Sequence, residues 1–116
     1  MRYLLLIGGE DGSENGGEPG PSSKDVCAAD DAVAWAEEMT RRGVLVSGEV
    51  LRPPRDAATV RVRDGEVLVA DGPFAETKEQ IGGLAVIECA ELDEAVAVAA
   101  AHPVARYGMV EVRPIW

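Results

Sequence analysis

The chain has 116 residues, and its 21 acidic and 11 basic side chains give a formal net charge of -10 at pH 7. This length suits one domain with a single hydrophobic core, and the charge opposes direct binding to nucleic-acid phosphates or to an anionic membrane surface. The 47% apolar content, much of it Ala and Val, predicts a lean core that association with a second copy would extend.

The N-terminus and the cysteines predict a cytoplasmic protein without metal or cofactor. The apolar run from Tyr3 to Ile7 is too short for a signal peptide or a membrane span. Cys27 and Cys89 lack CxxC spacing and have only His102 as an imidazole partner, so neither a metal site nor a disulfide framework is indicated. Nucleophile elbow, P-loop and dinucleotide fingerprints do not occur.

The chain begins with a predicted strand over residues 3–7 that ends at Gly8-Gly9. Residues 8–24, rich in Gly, Pro, Ser and acids, predict a flexible loop that is either passive or a lid over a ligand. Residues 26–42 have apolar side chains at helical spacing, and Gly43 ends this helix. Trp35 is expected to pack at the helix edge, with a stacking platform as the alternative.

A second strand is predicted from Val44 to Leu51, and Ser47-Gly48 within it is either a bulge or a place where another backbone comes close. The clearest local signal follows, a β-hairpin over residues 60–69 with a two-residue Asp-Gly turn. Its register places Arg63 opposite Glu66 and Val62 opposite Val67, so one face is charged and the other is apolar.

The second half of the chain predicts a strand over residues 84–89, a helix, and a final strand over residues 109–115. Asp93 is the expected N-cap of the helix, which stops at His102-Pro103. Alternation on the last strand sends Glu111 and Arg113 to one face.

This order of elements predicts an α+β fold of ferredoxin-like βαββαβ type, with an inserted β-hairpin and both helices on one face of an antiparallel sheet. Residues 1–116 then form a single domain. Because the other face of the sheet needs cover, we expect a homodimer in which two sheets form an α+β barrel.

Residues 71–83 form the candidate site, because turn chemistry and clustered charge directly follow a strand. Asp71 precedes Gly-Pro, so its carboxylate cannot use the amide two residues on and is expected either to hold the turn through the amides of Phe74 and Ala75 or to contact a ligand. Phe74 either packs inward or forms a pocket wall.

The polar residues that follow are either a solvated face with dimer salt bridges or the lining of a cavity mouth. In the second interpretation Lys78 holds an anionic substrate, and Glu76 or Asp71 accepts a proton. Glu79 and Gln80 complete this polar run.

Two residues outside this segment are also candidates. His102 has the only side chain with an ordinary pKa near neutrality, and it either performs acid/base chemistry or caps carbonyls at a helix end. Arg113 either pairs with another charge or clamps a carboxylate of a ligand.

The segment Asp71-Gly72-Pro73-Phe74 through Gln80, followed by Gly82-Gly83, resembles the DGPF-domain proteins of the YCII-related superfamily. Leu51-Arg52-Pro53, Leu92-Asp93-Glu94-Ala95 and the ending from Val110 to Ile115 extend the resemblance over essentially the whole chain. It implies a dimeric α+β barrel of ferredoxin-like topology.

For function, the resemblance implies either of two roles. Some relatives resemble dehalogenases or lactone-processing enzymes with a His–Asp pair in the cavity, but these positions align with Ala32 and His102 here, so the chain departs from that pair. We therefore expect binding of a small polar organic molecule, with weak acid/base chemistry centred on Asp71 and His102. The alternative is a non-catalytic regulatory module that partners an extracytoplasmic-function sigma factor.

Overall fold

The computed structural model describes residues 1–10, 23–72 and 79–116. Within these ranges the chain forms six strands and two α-helices. In chain order they are β1 (Arg2–Glu10), α1 (Ser23–Arg41), β2 (Leu45–Val50), β3 (Ala58–Arg63), β4 (Glu66–Asp71), β5 (Glu79–Glu88), α2 (Leu92–Ala100) and β6 (Met109–Pro114), with short 3-10 turns at Pro54–Asp56 and Pro103–Arg106.

Four strands form the main sheet in the order β2-β5-β1-β6, and every neighbouring pair is antiparallel. Strand β1 is central because it pairs with β5 on one side and β6 on the other. Two helices and antiparallel sheets in this order agree with the predicted ferredoxin-like α+β fold.

The core lies between the main sheet and the two helices. Strand alternation sends Tyr3, Leu5 and Ile87 into it, all nearly inaccessible to solvent. Trp35 also lies in this core, at 7% exposure, and its indole Nε1 donates to the Val98 carbonyl at 3.0 Å. The indole therefore joins α1 to α2 instead of packing at a helix edge.

The first strand and helix extend further than predicted. β1 continues through Gly8 and Gly9, and α1 begins at Ser23, so residues 8–10 and 23–24 belong to regular elements. The remaining residues of the predicted loop, 11–22, lie outside the described residues. The glycines suit a strand here because β5 has a bulge opposite Ile7 and Gly8, and a Cβ at Gly8 would overlap the Gln80 carbonyl.

Two local features lie slightly before their predicted positions, namely the N-cap of α2 and the irregularity in β2. The N-cap of α2 is Glu91, and the Glu94 carboxylate accepts a hydrogen bond from the Ala90 amide at 3.0 Å, so Asp93 lies inside the first turn. The irregularity in β2 falls between Leu45 and Ser47, slightly before the predicted position.

β3 and β4 pair with each other as a separate two-stranded sheet. Arg63 lies opposite Glu66 and Val62 opposite Val67, which is the predicted register. Asp64 and Gly65 both have positive φ, 52° and 79°, as a type I′ turn requires. None of the helices in the described ranges combines the length and apolar character needed to cross a membrane.

Candidate functional site

The face of the main sheet turned away from the helices has an apolar centre. Strand alternation places on this face the residues between the buried ones, and four of these are half-buried: Leu4, Leu6, Leu84 and Val86. Glu49 lies opposite Leu84 on one flank, and Arg113 and Glu111 lie opposite Leu4 and Leu6 on the other. We call these seven residues the open face.

An ion pair provides the charge at one flank of the open face. The Arg113 guanidinium lies 2.6 Å from a carboxylate oxygen of Glu111, two residues earlier on β6. The Arg113 side chain is 65% exposed, so the guanidinium has room for a second anionic partner. The two side chains share one strand face, as alternation predicted, while Val110 and Val112 pack against the core.

Asp71 lies at the end of β4, exposed and opposite Ala58. The corner after it is held by backbone contacts: the Gly72 amide donates to the Ala57 carbonyl at 2.7 Å, and the Thr59 hydroxyl donates to the Gly72 carbonyl at 2.9 Å. Gly72 has a φ of 96°, a conformation that side chains disfavour. The predicted amide donors Phe74 and Ala75 lie outside the described residues.

Of the predicted substrate-binding residues, the structure describes Gln80 and Arg113. Phe74, Glu76 and Lys78 also lie outside the described residues. Gln80 pairs with Gly9 and Arg113 pairs with Leu4, on opposite sides of β1. Because Leu4 and Gly9 are five positions apart on β1, Arg113 and Gln80 lie about 16 Å apart along the strand. Gln80 and Arg113 therefore do not meet within one protomer.

His102 lies on the helix-covered side of the molecule, at 5% exposure. Its Nδ1 accepts a hydrogen bond from the Val104 amide at 3.1 Å, which caps the 3-10 turn that follows α2. The imidazole thus caps an amide, where the sequence predicted carbonyls as the alternative to acid/base chemistry. Burial lowers the pKa of His102, which keeps the ring neutral at pH 7.

The described residues do not form a metal site. They contain no group of three or more His, Cys, Asp or Glu side chains placed to hold an ion. Cys89 is buried and free, and desolvation raises the pKa of its thiol, with the Glu94 charge adding to the effect. This thiol therefore behaves as a small core side chain.

A separate apolar groove of about 350 Å³ opens between α2 and β6, on the helix side of the sheet. Its walls are Val96, Ala99, Ala100, Ala105, Met109, Val110 and Val112. Because these walls are apolar side chains, the groove offers no ionisable group for chemistry.

Sequence reasoning expected this face of the sheet to need cover, but it did not identify the four residues at its apolar centre. Residues 3–7 and 84–87 are continuous apolar runs, in which the two faces of a strand look alike. The helix count predicted an uncovered face, since two helices cover only one face of a four-stranded sheet, but the strand pairing was needed to name its residues.

The element order and the antiparallel sheet define a ferredoxin-like α+β protein. The chain belongs to the YCII-related domain family, which matches residues 1–116. It is 39% identical over 111 residues to an uncharacterised protein of Rhizobium meliloti (strain 1021), covering 78% of this chain and 88% of that protein.

A solved structure with a similar fold is the 5-chloro-2-hydroxyhydroquinone dehydrochlorinase of Burkholderia phenoliruptrix AC1100, in complex with 2,5-dihydroxybenzoquinone. The TM-score is 0.56 over 100% of this chain and 94% of that one, with 13% sequence identity. At this identity the similarity concerns the fold alone.

Proposed function

We propose that this protein is a homodimeric α+β barrel that binds a small organic anion, such as a carboxylate or a phenolate, between the open face and the segment from Asp71 to Gln80. The observation that carries the proposal is the exposed Arg113 guanidinium beside a half-buried apolar surface. A planar guanidinium binds carboxylates in a bidentate manner, and an apolar surface accepts the carbon skeleton of the ligand.

The dimer is supported by the apolar centre of the open face. Covering this surface with a second copy removes apolar area from water, at a gain of about 25 cal/mol per Å². Within the described residues the buried hydrophobic core comprises only eleven side chains, so burial of the open face would add substantially to the apolar burial of the protomer.

Ligand binding receives general support from the fold neighbour, which was solved with a small organic molecule bound. In our proposal the residue that accepts a proton is Asp71, an exposed carboxylate at the start of the candidate segment. His102 lies on the helix-covered side, away from the open face, and its Nδ1 accepts the Val104 amide, so an acid/base role for His102 would use Nε2 and would be separate from binding at the open face.

The proposal is tested by measuring the binding of a panel of small organic acids and phenols by calorimetry and NMR. Arg113→Met is expected to lower the affinity for the best ligand at least tenfold, about 1.4 kcal/mol. Asp71→Asn and Lys78→Ala should lower this affinity as well. Arg106→Met is the matched control, because Arg106 forms a comparable exposed ion pair with Asp31 of α1. Unchanged affinity in all three site variants would remove this site.

A regulatory module that engages a basic protein, such as a sigma factor, is the second candidate. It is favoured by the acidic surplus of the chain and by the exposed Asp31, Glu37 and Glu38 of α1. Affinity purification from the native cell separates the two candidates. A stable basic partner whose binding is lost in Glu37→Lys/Glu38→Lys favours the module, whereas ligand binding without any partner favours the first proposal.

A further inference from the structure

The hairpin of β3 and β4 presents four valines on one face. Val60 pairs with Val69 and Val62 with Val67, so alternation places all four side chains together. They are 59%, 65%, 58% and 67% exposed, respectively. The opposite face of the same hairpin has Arg61 opposite Leu68 and Arg63 opposite Glu66. We call the four valines the valine face.

Such a surface needs a cover. An isolated two-stranded hairpin is marginally stable in water, and contiguous exposed apolar side chains on a small domain mark an interaction site. Hydrogen bonds around Ala57, Thr59 and Gly72 anchor the base of the hairpin. The valine face extends beyond this base toward the turn at Asp64 and Gly65.

The distribution of charge favours a second copy of this chain as the cover. Residues 51–72 contain four arginines and four acidic residues, so this segment is formally neutral and the entire charge of -10 lies elsewhere. Two copies of an acidic chain repel each other, and the repulsion is smallest where neutral segments meet. The hairpin is therefore a part of the molecule that a second copy can approach at low electrostatic cost.

We propose that the valine face packs against a second copy of this chain, so that the hairpin acts as an arm of the dimer. This inference rests on the proposed homodimer and assigns part of its interface. Asp71 pairs with Ala58 on the same face of the hairpin as the valines. The arm would then bring Asp71 to the rim of the interface, which makes ligand binding at this carboxylate depend on dimer formation.

Sedimentation equilibrium of the full chain tests the arm with substitutions on the two hairpin faces. Val67→Glu introduces a charge into the valine face, and Leu68→Glu introduces the same charge on the opposite face of the same strand. We expect Val67→Glu to raise the dimer dissociation constant at least tenfold and Leu68→Glu to change it less than twofold. Val67→Thr, which keeps the β-branched shape, should have an intermediate effect, and circular dichroism verifies that each variant folds.

Hydrogen exchange provides a second measurement. Amides of β3 and β4 should exchange more slowly above the dimer dissociation constant than far below it. Protection that does not depend on protein concentration would assign the cover to the chain's own residues and overturn the proposal.

The outcomes separate the arm from the dimer itself. The arm would be refuted, and the barrel left intact, if the wild-type protein dimerises, Leu6→Glu on the open face weakens the dimer and Val67→Glu does not. A wild-type protein that stays monomeric at every concentration would refute both.

Discussion

The rings of Trp35 and His102 meet edge to face, with centroids 4.8 Å apart and planes inclined by 67°. The indole also donates to the Val98 carbonyl, and the imidazole accepts the Val104 amide. The two rings therefore connect α1, the end of α2 and the turn that leads into β6. This contact between residues 67 positions apart fixes both helices on one face of the sheet.

Burial of His102 should make the stability of the fold depend on pH. The pKa of His102 is lowered by burial, so between its unfolded and folded pKa values the unfolded chain binds a proton that the native protein does not. The stabilisation is complete above the ordinary pKa of about 6.5 and is lost as the pH falls below it. Chemical denaturation at pH 7.5 and 5.5 should show a lower free energy of unfolding at pH 5.5.

His102→Asn is the control for this effect, because its side-chain oxygen can accept the Val104 amide but does not titrate. Most of the loss between pH 7.5 and 5.5 should disappear in this variant. A wild-type histidine that titrates at or above pH 6.5 by NMR would contradict the assignment.

Trp35→Phe should lower the free energy of unfolding by about 2–4 kcal/mol, because it leaves the Val98 carbonyl unpaired and opens a cavity in the core. The other tryptophan, Trp116, is fully exposed and serves as the matched control. Trp116→Phe should change the same quantity by less than about 0.5 kcal/mol. Urea denaturation followed by circular dichroism measures both, and equal effects would show that Trp35 does not join the helices.

Gly8→Ala should destabilise the protein by about 1–3 kcal/mol, because the added Cβ would overlap the Gln80 carbonyl at the bulge between β1 and β5. The adjacent Gly9 meets only ordinary van der Waals contact at this position. Gly9→Ala should therefore cost markedly less in the same thermal or urea denaturation. A larger loss in Gly9→Ala would contradict the described register.

Glu111→Gln should change stability by less than about 1 kcal/mol, because its ion pair with Arg113 is exposed to solvent. The same change frees the guanidinium, so the affinity for a small organic anion should rise severalfold in calorimetry. Asp31→Asn frees Arg106 in a similar way and should leave that affinity unchanged. If Glu111→Gln instead lowers the affinity for the anion, the Glu111 carboxylate has a direct role in binding.

Patterns of short range predicted much of the fold. The Asp-Gly turn and its flanking alternation specified the hairpin register, because a two-residue turn permits one pairing only. The bounds of α2 followed from its apolar spacing and from His102-Pro103. Errors arose where glycine was interpreted as the end of a strand. Gly8 and Gly9 continue β1, and the bulge in the neighbouring strand leaves no room for a Cβ at Gly8.

The candidate site was less predictable, because its members come from distant parts of the chain. Arg113 was singled out, but its position beside Leu4 depends on the pairing of β6 with β1. Gln80 was assigned to the same pocket, yet strand pairing places it at the other end of β1. Phe74, Glu76 and Lys78 remain predictions outside the described residues.

The amino-acid sequence by itself determined the order of elements, the hairpin turn, the acidic surplus and the family, because each depends on local conformational preference or on composition. Only the tertiary structure decided which apolar residues are core and which form the open face, where the His102 imidazole directs its lone pair, and that Gln80 and Arg113 lie apart. These features depend on contacts between residues far apart in the chain, and such contacts are set by how the sheet and helices pack together.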